Sequence, residues 1–435
     1  MSLIQLKYDP AATKSPAILP LSKSIALRVL TLNEVSARLG NGRAHIPQLP
    51  DAEDVEGMMR AITHYAQADS ESAARNTVNI GEGGAPFRFF TALAASTPGL
   101  DMTVATSRSL MRRPLAILLD ALRLAGADIR CERREGYPPL RIVGRRLNPG
   151  VLGLNPSVSS QFISALMMAS PLWESGLTLD FDTSKAVSLP YLAMTRKIME
   201  RFGCEVTITA DQIRVAAGRC VAPDEFEIET DWSAASYFYE LALLLPGTPI
   251  PLLRLTPADE SLQGDAMCAS IFSLLGVATK RDADGRVWLE CDPECLRVFR
   301  ESDQPLELDL NGQPDLVPAL AVGCVLAGVR FIFRGVGHLR HKETNRMLAL
   351  CTELEKLGYS LTPGEDTLAW EGRRCPAGDN ESISTYSDHR MAMAFAPAAA
   401  RLPWITIEHP EVVGKSFPRY WENLERLGFV VMRKS

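Results

Sequence analysis

Apolar positions recur along this chain at helical spacing and then give way, after a glycine, to a short run rich in β-branched residues. The phrase occurs at 115–130 (LAILLDALRLAGADIR), 194–208 (MTRKIMERFGCEVTI), 267–279 (MCASIFSLLGVAT), 347–361 (MLALCTELEKLGYSL) and 423–431 (NLERLGFVV), with a weaker sixth copy at 55–79. The 3.6-residue period predicts helices, and Gly126, Gly203, Gly276, Gly358 and Gly428 suit the left-handed residue just past a helix end. Their spacing, roughly 70 to 80 residues, is that of a repeated unit. Each copy predicts a helix followed by a strand of the sheet it packs on, and together they predict a duplicated α/β structure. A single Rossmann sheet is disfavoured, because no GxGxxG loop follows a predicted strand.

Two more stretches, 161–171 (QFISALMMASP) and 231–245 (DWSAASYFYELALLL), begin with Ser or Asp ahead of small and apolar residues. They predict N-capped helices buried along much of their length, whose free N–H groups suit anions. The longest apolar run, 316–329, contains Pro318 and is too short for a membrane span. At 46% hydrophobic and 23% charged, the 435 residues read as an ordinary globular protein of several domains. Nine cysteines without a CxxC pair, and a start (1–16) lacking the apolar core of a secretory signal, predict reduced thiols in the cytoplasm and no metal site. A net charge of −6 predicts no nucleic-acid partner, and without a run long enough to span a bilayer no membrane is expected either, so any anionic ligand must be held by local cationic clusters.

Several such clusters stand in the sequence. Ser22-Lys23-Ser24 with Arg28 combines a predicted helix start with two cations; Gly81-Glu82-Gly83-Gly84 allows close backbone approach, and Arg112-Arg113-Pro114 precedes a predicted helix. Ser157, Ser159, Ser160 and Gln161 crowd hydroxyls at another helix start. In the C-terminal half, Lys342 and Arg346 are expected at i and i+4 on one helical face beside Glu343. Asp388-His389-Arg390 and Gly414-Lys415 add cations, and Asp315 lies in a predicted turn at 311–315.

In their order and spacing these motifs resemble the EPSP synthase family of enolpyruvyl transferases. The resemblance runs from Lys23 to Pro418 and rests on SKSxxxR at 22–28, SVSSQF at 157–162, PDLVPxLAV at 314–322, KETxR at 342–346, DHRMAM at 388–393 and GKSFP at 414–418. It implies an α/β fold of two similar globular domains, each of three βαβαββ units. One domain is expected at 21–231, the other from 1–20 with 232–435, with the active site in a cleft that closes between them.

The implied reaction moves enolpyruvyl from phosphoenolpyruvate to the 5-hydroxyl of shikimate-3-phosphate. Each substrate carries a phosphate and a carboxylate, so cations must offset their repulsion. The resemblance assigns the shikimate phosphate to Ser159, Ser160 and Ser188, the ring to Tyr191, and the carboxylate to Ser24 and Arg28. Gly84, Arg113, Gln161 and Lys415 would hold the phosphate of phosphoenolpyruvate, and Arg346 and Arg390 its carboxylate, with Lys23 between both substrates. Gln161, Lys342 and Asp315, the last against the ring hydroxyls, are also expected at shikimate-3-phosphate. Asp315 is the candidate base and Glu343 the candidate proton donor, which would need burial to raise its pKa; Lys23 and His389 are nearby helpers. No cofactor is implied, a monomer is expected, and glyphosate is a candidate inhibitor. The chain departs from the family in its glycine loop, where Glu82, Gly83, Ala85 and Pro86 replace the usual residues of GNAGTAxR. It departs again at His338, in place of an asparagine, and at Leu189 in SLPY. A UDP-N-acetylglucosamine enolpyruvyl transferase is disfavoured by Ser24 after Lys23 and by the lack of cysteine before Arg130. A non-catalytic binding relative is disfavoured by the retention of Asp315 and Glu343.

Overall fold

Three times along the chain the same series of elements recurs: strand, helix, strand, helix and an antiparallel strand pair. This is seen in a computed structural model, which describes residues 2–67, 76–107, 110–154, 159–182, 188–302, 304–378 and 381–434. In the first copy Asn76–Asn79 pairs in parallel with Asp101–Ala105, which pairs antiparallel with Leu140–Val143, itself edged by Asp128–Cys131. The sheets Val151–Gly153, Leu177–Asp180, Gln212–Val215, Val206–Ile208 and Leu306–Asp309, Phe331–Arg334, Thr367–Trp370, Thr362–Pro363 repeat that order and those directions. A parallel pair needs a crossover, and each has one: Gly84–Ala95, Ser160–Ala169 and Val317–Ala327. A second helix then leads to the antiparallel pair: Ala116–Leu124, Leu189–Arg201 and Arg346–Lys356.

Two three-stranded sheets are shortened versions of the same unit. Ile250–Leu252, Val287–Cys291 and Val277–Arg281 form one, with Ala17 standing in for the first strand through a single parallel bridge to Leu252. Ile405–Glu408, Leu3–Tyr8 and Phe429–Lys434 form the other, with Ile383 bridging Ile407 in the same way. The helices Lys23–Arg38 and Glu53–Gln67, with the parallel bridge His45 to Glu225, make a copy poor in strands.

By backbone proximity the chain falls into two compact units, residues 1–20 with 230–435 and residues 21–229. In one unit Asp231 N–H donates to Pro20 O at 2.9 Å; in the other Ser22 N–H donates to Glu229 O at 2.7 Å.

All five glycines expected to stop helices adopt the left-handed conformation, with φ from 65° at Gly203 to 101° at Gly126. Beyond Gly358 the strand expected from the pattern shrinks to a bridge from Tyr359 to Arg374 and the two residues Thr362–Pro363. Proline lacks the N–H that a longer ladder would use, which confines this piece to the sheet edge. The weak copy at 55–79 does give the helix Glu53–Gln67 and the strand Asn76–Asn79; residues 68–75 lie outside the described set.

The crossover helices are apolar nearly all round and are buried accordingly. Val317–Ala327 buries every residue, and Trp232–Leu244 all but one. Among them lies Glu240, fully buried, with neither carboxyl oxygen hydrogen-bonded among the described residues. Its Cγ is 3.1 Å from where a Cβ at Gly323 would sit, so glycine there makes room for it. Burial pushes the carboxyl well above the usual range. A raised folded-state pKa contributes stability that is present below the unfolded value and lost as pH rises through the folded one. Glu240→Met, which removes the buried acid at similar volume, is therefore expected to raise Tm, and by more at about pH 9 than at about pH 5. Thermal melts across that range check this; a constant difference counts against it.

Candidate active site

In residues 21–229 Lys23, Ser24, Gly84, Ser160 and Gln161, all expected at the site, sit at the starts of three helices that pack on one another, Lys23–Arg38, Gly84–Ala95 and Ser160–Ala169. Lys23 pairs with Asp54 at 2.9 Å. The other oxygen of Asp54 is only 2.6 Å from where a Cβ would stand at Gly83, and Pro86 Cγ only 2.3 Å, so the position has room for glycine alone. Arg88, one turn into the second helix, donates to Gln161 Oε1 at 2.6 Å. A Cβ at Gly84 would lie 2.4 Å from Arg88 Nη1 and 3.1 Å from Arg113 Nη1, so bare backbone and two guanidinium groups meet there. Glu82 is exposed, its charge open to water.

Arg28 forms a second, deeper constellation. Its Nε donates to Thr195 Oγ1 at 2.8 Å and its Nη1 to Ser24 O at 2.8 Å, while Thr195 in turn donates to Tyr191 O. Burial lowers the guanidinium to about 10. Ser188, left-handed at φ 59°, precedes the helix Leu189–Arg201 that carries Tyr191 and Thr195. Ser159 caps the helix Ser160–Ala169 by accepting the Gln161 N–H at 3.4 Å. Ser157 and Val158 lie outside the described residues.

Residues 1–20 with 230–435 hold the densest charge cluster, centred on Arg346, whose side chain is 1% exposed. Its Nε donates to Asp388 Oδ2 at 2.7 Å, Nη1 to Asp315 Oδ1 at 2.9 Å and Nη2 to Glu343 Oε2 at 2.9 Å. Arg390 Nη2 donates to the other oxygen of Asp315 at 2.8 Å, and Lys415 Nζ to the other oxygen of Glu343 at 3.0 Å. Lys342 Nζ stands 3.8 Å from Asp315 Oδ1. Burial alone would raise the Asp315 carboxyl, but Arg390, Lys342 and Arg346 outweigh it and hold it well below the usual carboxylate range. Burial lowers Lys342 against the pull of Asp315. Burial and the neighbouring Asp315 push the Asp265 carboxyl up to about 7.

One expectation is corrected. Lys342 and Arg346 do not share a helical face, because the helix begins at Arg346, capped by Asn345, whose Oδ1 accepts the Leu348 N–H. Both cations nevertheless reach Asp315, Lys342 from the chain just before the helix. His389 is buried with Nδ1 3.9 Å from Asp388. His338 is half-buried, and burial together with Lys342 holds its imidazole down at about 4, neutral near pH 7. The sequence reading missed Asp54, Arg88 and the structural role of Asp388. Arg88 had a signal, lying one helical turn from Gly84; Asp54, 31 positions after Lys23, had none.

An open cavity of about 810 Å³, lined by Leu49, Val55, Met59, Arg60, His64 and Asn79 among others, includes none of these residues.

Residues 12–424 match the family model described as EPSP synthase (3-phosphoshikimate 1-carboxyvinyltransferase). A 3-phosphoshikimate 1-carboxyvinyltransferase of Bacteroides fragilis (strain YCH46) is 40% identical over 421 residues, 97% of both chains. One from Pasteurella multocida (strain Pm70) is 31% identical over 94% of both. Among solved structures, an EPSP synthase from Acinetobacter baumannii superposes with a TM-score of 0.76 at 20% identity, covering 100% of both chains. The enolpyruvyl transferase NikO from Streptomyces tendae gives 0.69 at 14% identity, covering 100% of this chain and 99% of that one.

Proposed function

The chain belongs to the EPSP synthase family, and from that premise we propose how its residues divide the work of the family's reaction. It transfers the enolpyruvyl group of phosphoenolpyruvate to the 5-hydroxyl of shikimate-3-phosphate, releasing phosphate, in the shikimate pathway of aromatic amino-acid biosynthesis. In our reading Ser24, Arg28, Ser159, Ser160, Ser188 and Tyr191 hold shikimate-3-phosphate, with Lys342 and Gln161. Gly84, Arg113, Gln161 and Lys415 hold the phosphate of phosphoenolpyruvate, joined by Arg88. Arg346 and Arg390 take its carboxylate, and Lys23 serves both substrates.

The observation that carries this reading is the pairing in the charge cluster. Asp315 occupies Arg346 and Arg390, one oxygen to each, as a substrate carboxylate would. Glu343 occupies Arg346 and Lys415. Arriving phosphoenolpyruvate offers the same cations a carboxylate and a phosphate. As the cations shift to the substrate, Asp315 loses the charges that hold it ionised and becomes a better base, while Glu343 is released from Arg346 and Lys415. Asp315 then accepts the proton of the 5-hydroxyl as its oxygen bonds to C2, and Glu343, which takes a proton from solvent once Arg346 and Lys415 have turned to the substrate, delivers it to C3. In the second half the C2–O bond to phosphate breaks, C3 returns its proton to Glu343 and the proton held by Asp315 leaves with the phosphate, so that the enol ether is formed and both carboxylates are regenerated. His389 supports this corner from beside Asp388.

Because both constellations belong to one chain, the proposal needs no second copy, and a cytoplasmic monomer is the form expected. Glyphosate, an anion bearing phosphonate and carboxylate, is proposed to compete at the phosphoenolpyruvate residues.

The direct test is phosphate release from the purified protein. Release only when both substrates are present supports the assignment; release with UDP-N-acetylglucosamine in place of shikimate-3-phosphate overturns it. A narrower test is Gly84→Ala. Its methyl must displace Arg88 and crowd Arg113, so KM for phosphoenolpyruvate is expected to rise on the order of tenfold or more. Steady-state kinetics check this, and an unchanged KM removes Gly84 from that pocket.

A further inference from the structure

Two successive residues other than glycine, Tyr386 and Ser387, hold left-handed backbone angles (φ 54° and 57°) directly before Asp388. Such a pair is disfavoured for L-residues and persists only where its surroundings impose it. Glu353 supplies that constraint. Its carboxylate is completely buried, seven residues along the helix that starts at Arg346. Oε1 accepts the Tyr386 hydroxyl at 2.6 Å; Oε2 accepts the Ser384 N–H at 3.0 Å and lies 2.7 Å from Lys356 Nζ. Tyr386 is 41% exposed, so the hydroxyl at its tip is the anchored part. Asp388 N–H then donates to Thr385 O at 2.8 Å, and the Asp388 carboxylate caps the next helix by accepting the Arg390 N–H at 3.0 Å.

The helix Arg346–Lys356 and the corner at 384–388 are thus tied twice. One tie, Arg346 to Asp388, lies in the charge cluster; the other, Glu353 to Tyr386 and Ser384, lies about 10 Å further along the helix axis. A single tie leaves a pivot, about which Asp388 could turn and carry Arg390 with it. The second removes that rotation. We infer that Tyr386 and Glu353 are positioning residues that fix the separation of the Arg346 and Arg390 guanidinium groups at the width of one carboxylate. That width is visible in their present grip on the two oxygens of Asp315, at 2.9 and 2.8 Å. The inference rests on the reading above in which these arginines take the carboxylate of phosphoenolpyruvate.

Neither residue touches the reacting atoms, so the signature falls on the binding of one substrate. Tyr386→Phe deletes only the anchored hydroxyl. KM for phosphoenolpyruvate is expected to rise about tenfold, the size of one hydrogen bond to a charged group, with kcat and KM for shikimate-3-phosphate little changed. Glu353→Gln keeps an oxygen for the tyrosine or for the Ser384 N–H and is expected to raise that KM less than Glu353→Ala does. Ser387→Gly added to Tyr386→Phe lowers the cost of the left-handed corner and is expected to restore part of the loss. An unchanged phosphoenolpyruvate KM in Tyr386→Phe overturns the inference, as does a rise shared equally by both substrates or a fall in Tm without any change in KM. The two readings fail separately: an inactive wild type refutes the assigned reaction, whereas an active wild type matched by Tyr386→Phe refutes only the positioning role.

Discussion

Arg346→Met is expected to destabilise the protein by about 3–5 kcal/mol, as removal of one member of a buried ion cluster does. It is also expected to abolish measurable turnover. The side chain is 1% exposed and serves Asp388, Asp315 and Glu343 together. Methionine fills similar volume but leaves three carboxylates facing one another, with Asp388 fully buried. For a unit of this size the loss corresponds to a fall in Tm of roughly 10 °C. Arg346→Lys keeps the charge but cannot present three donors in a plane, so it should recover only part of the stability. The pH dependence has a definite sign. Asp315 is held below its unfolded pKa, so its contribution is present above that value and lost as pH falls through the lower, folded one. In the methionine variant that cation is gone, and the gap between variant and wild type should narrow below about pH 4. Thermal melts between neutral and acidic pH check both parts; a Tm within about 2 °C of wild type at neutral pH would show the cluster to be relaxed by other means.

The parts of this fold that were legible in the sequence are those set by local chemistry. A glycine past an amphipathic run is left-handed whatever lies around it, which is why Gly126, Gly203, Gly276, Gly358 and Gly428 marked helix ends in advance. An all-round apolar helix such as Trp232–Leu244 announces its burial in the same way. What no local pattern carries is partnership across the chain. Leu3–Tyr8 is the middle strand of a sheet whose other members lie beyond residue 400, and Ala17 and Ile383 replace whole strands with single bridges. The site divides along the same line. Its cations stand in recognisable motifs, but the acids that hold them, Asp54 for Lys23 and Asp388 for Arg346, are chosen by packing. Lys342 shows the opposite error, a helical spacing read into residues that Asn345 places before the helix begins.

Asp315→Asn is expected to lower kcat by about 10² to 10⁴, the usual contribution of a positioned general base, while KM for phosphoenolpyruvate holds or falls. The second half of that expectation separates this residue from its neighbours. In the free protein the Asp315 carboxylate occupies Arg346 and Arg390, and in the proposed reading phosphoenolpyruvate must displace it to reach them. Asparagine is a weaker occupant, so the arginines become easier for the substrate to take even as the proton acceptor is lost. A purely structural aspartate would behave differently, because its removal would loosen the arginines and raise KM as kcat fell. The pH profile supplies a second reading of the same exchange. In the free enzyme Arg390, Lys342 and Arg346 outweigh burial and keep Asp315 ionised well below the ordinary carboxylate range, and with Asp315 as the proposed base this is expected to set the acid limb of kcat/KM. Once the substrate has drawn the arginines away, the base is less depressed, so the acid limb of kcat should lie at higher pH than that of kcat/KM. Coincident limbs, or a phosphoenolpyruvate KM that rises in step with the loss of kcat, would show that the arginines never leave Asp315 and that the proton of the 5-hydroxyl goes elsewhere.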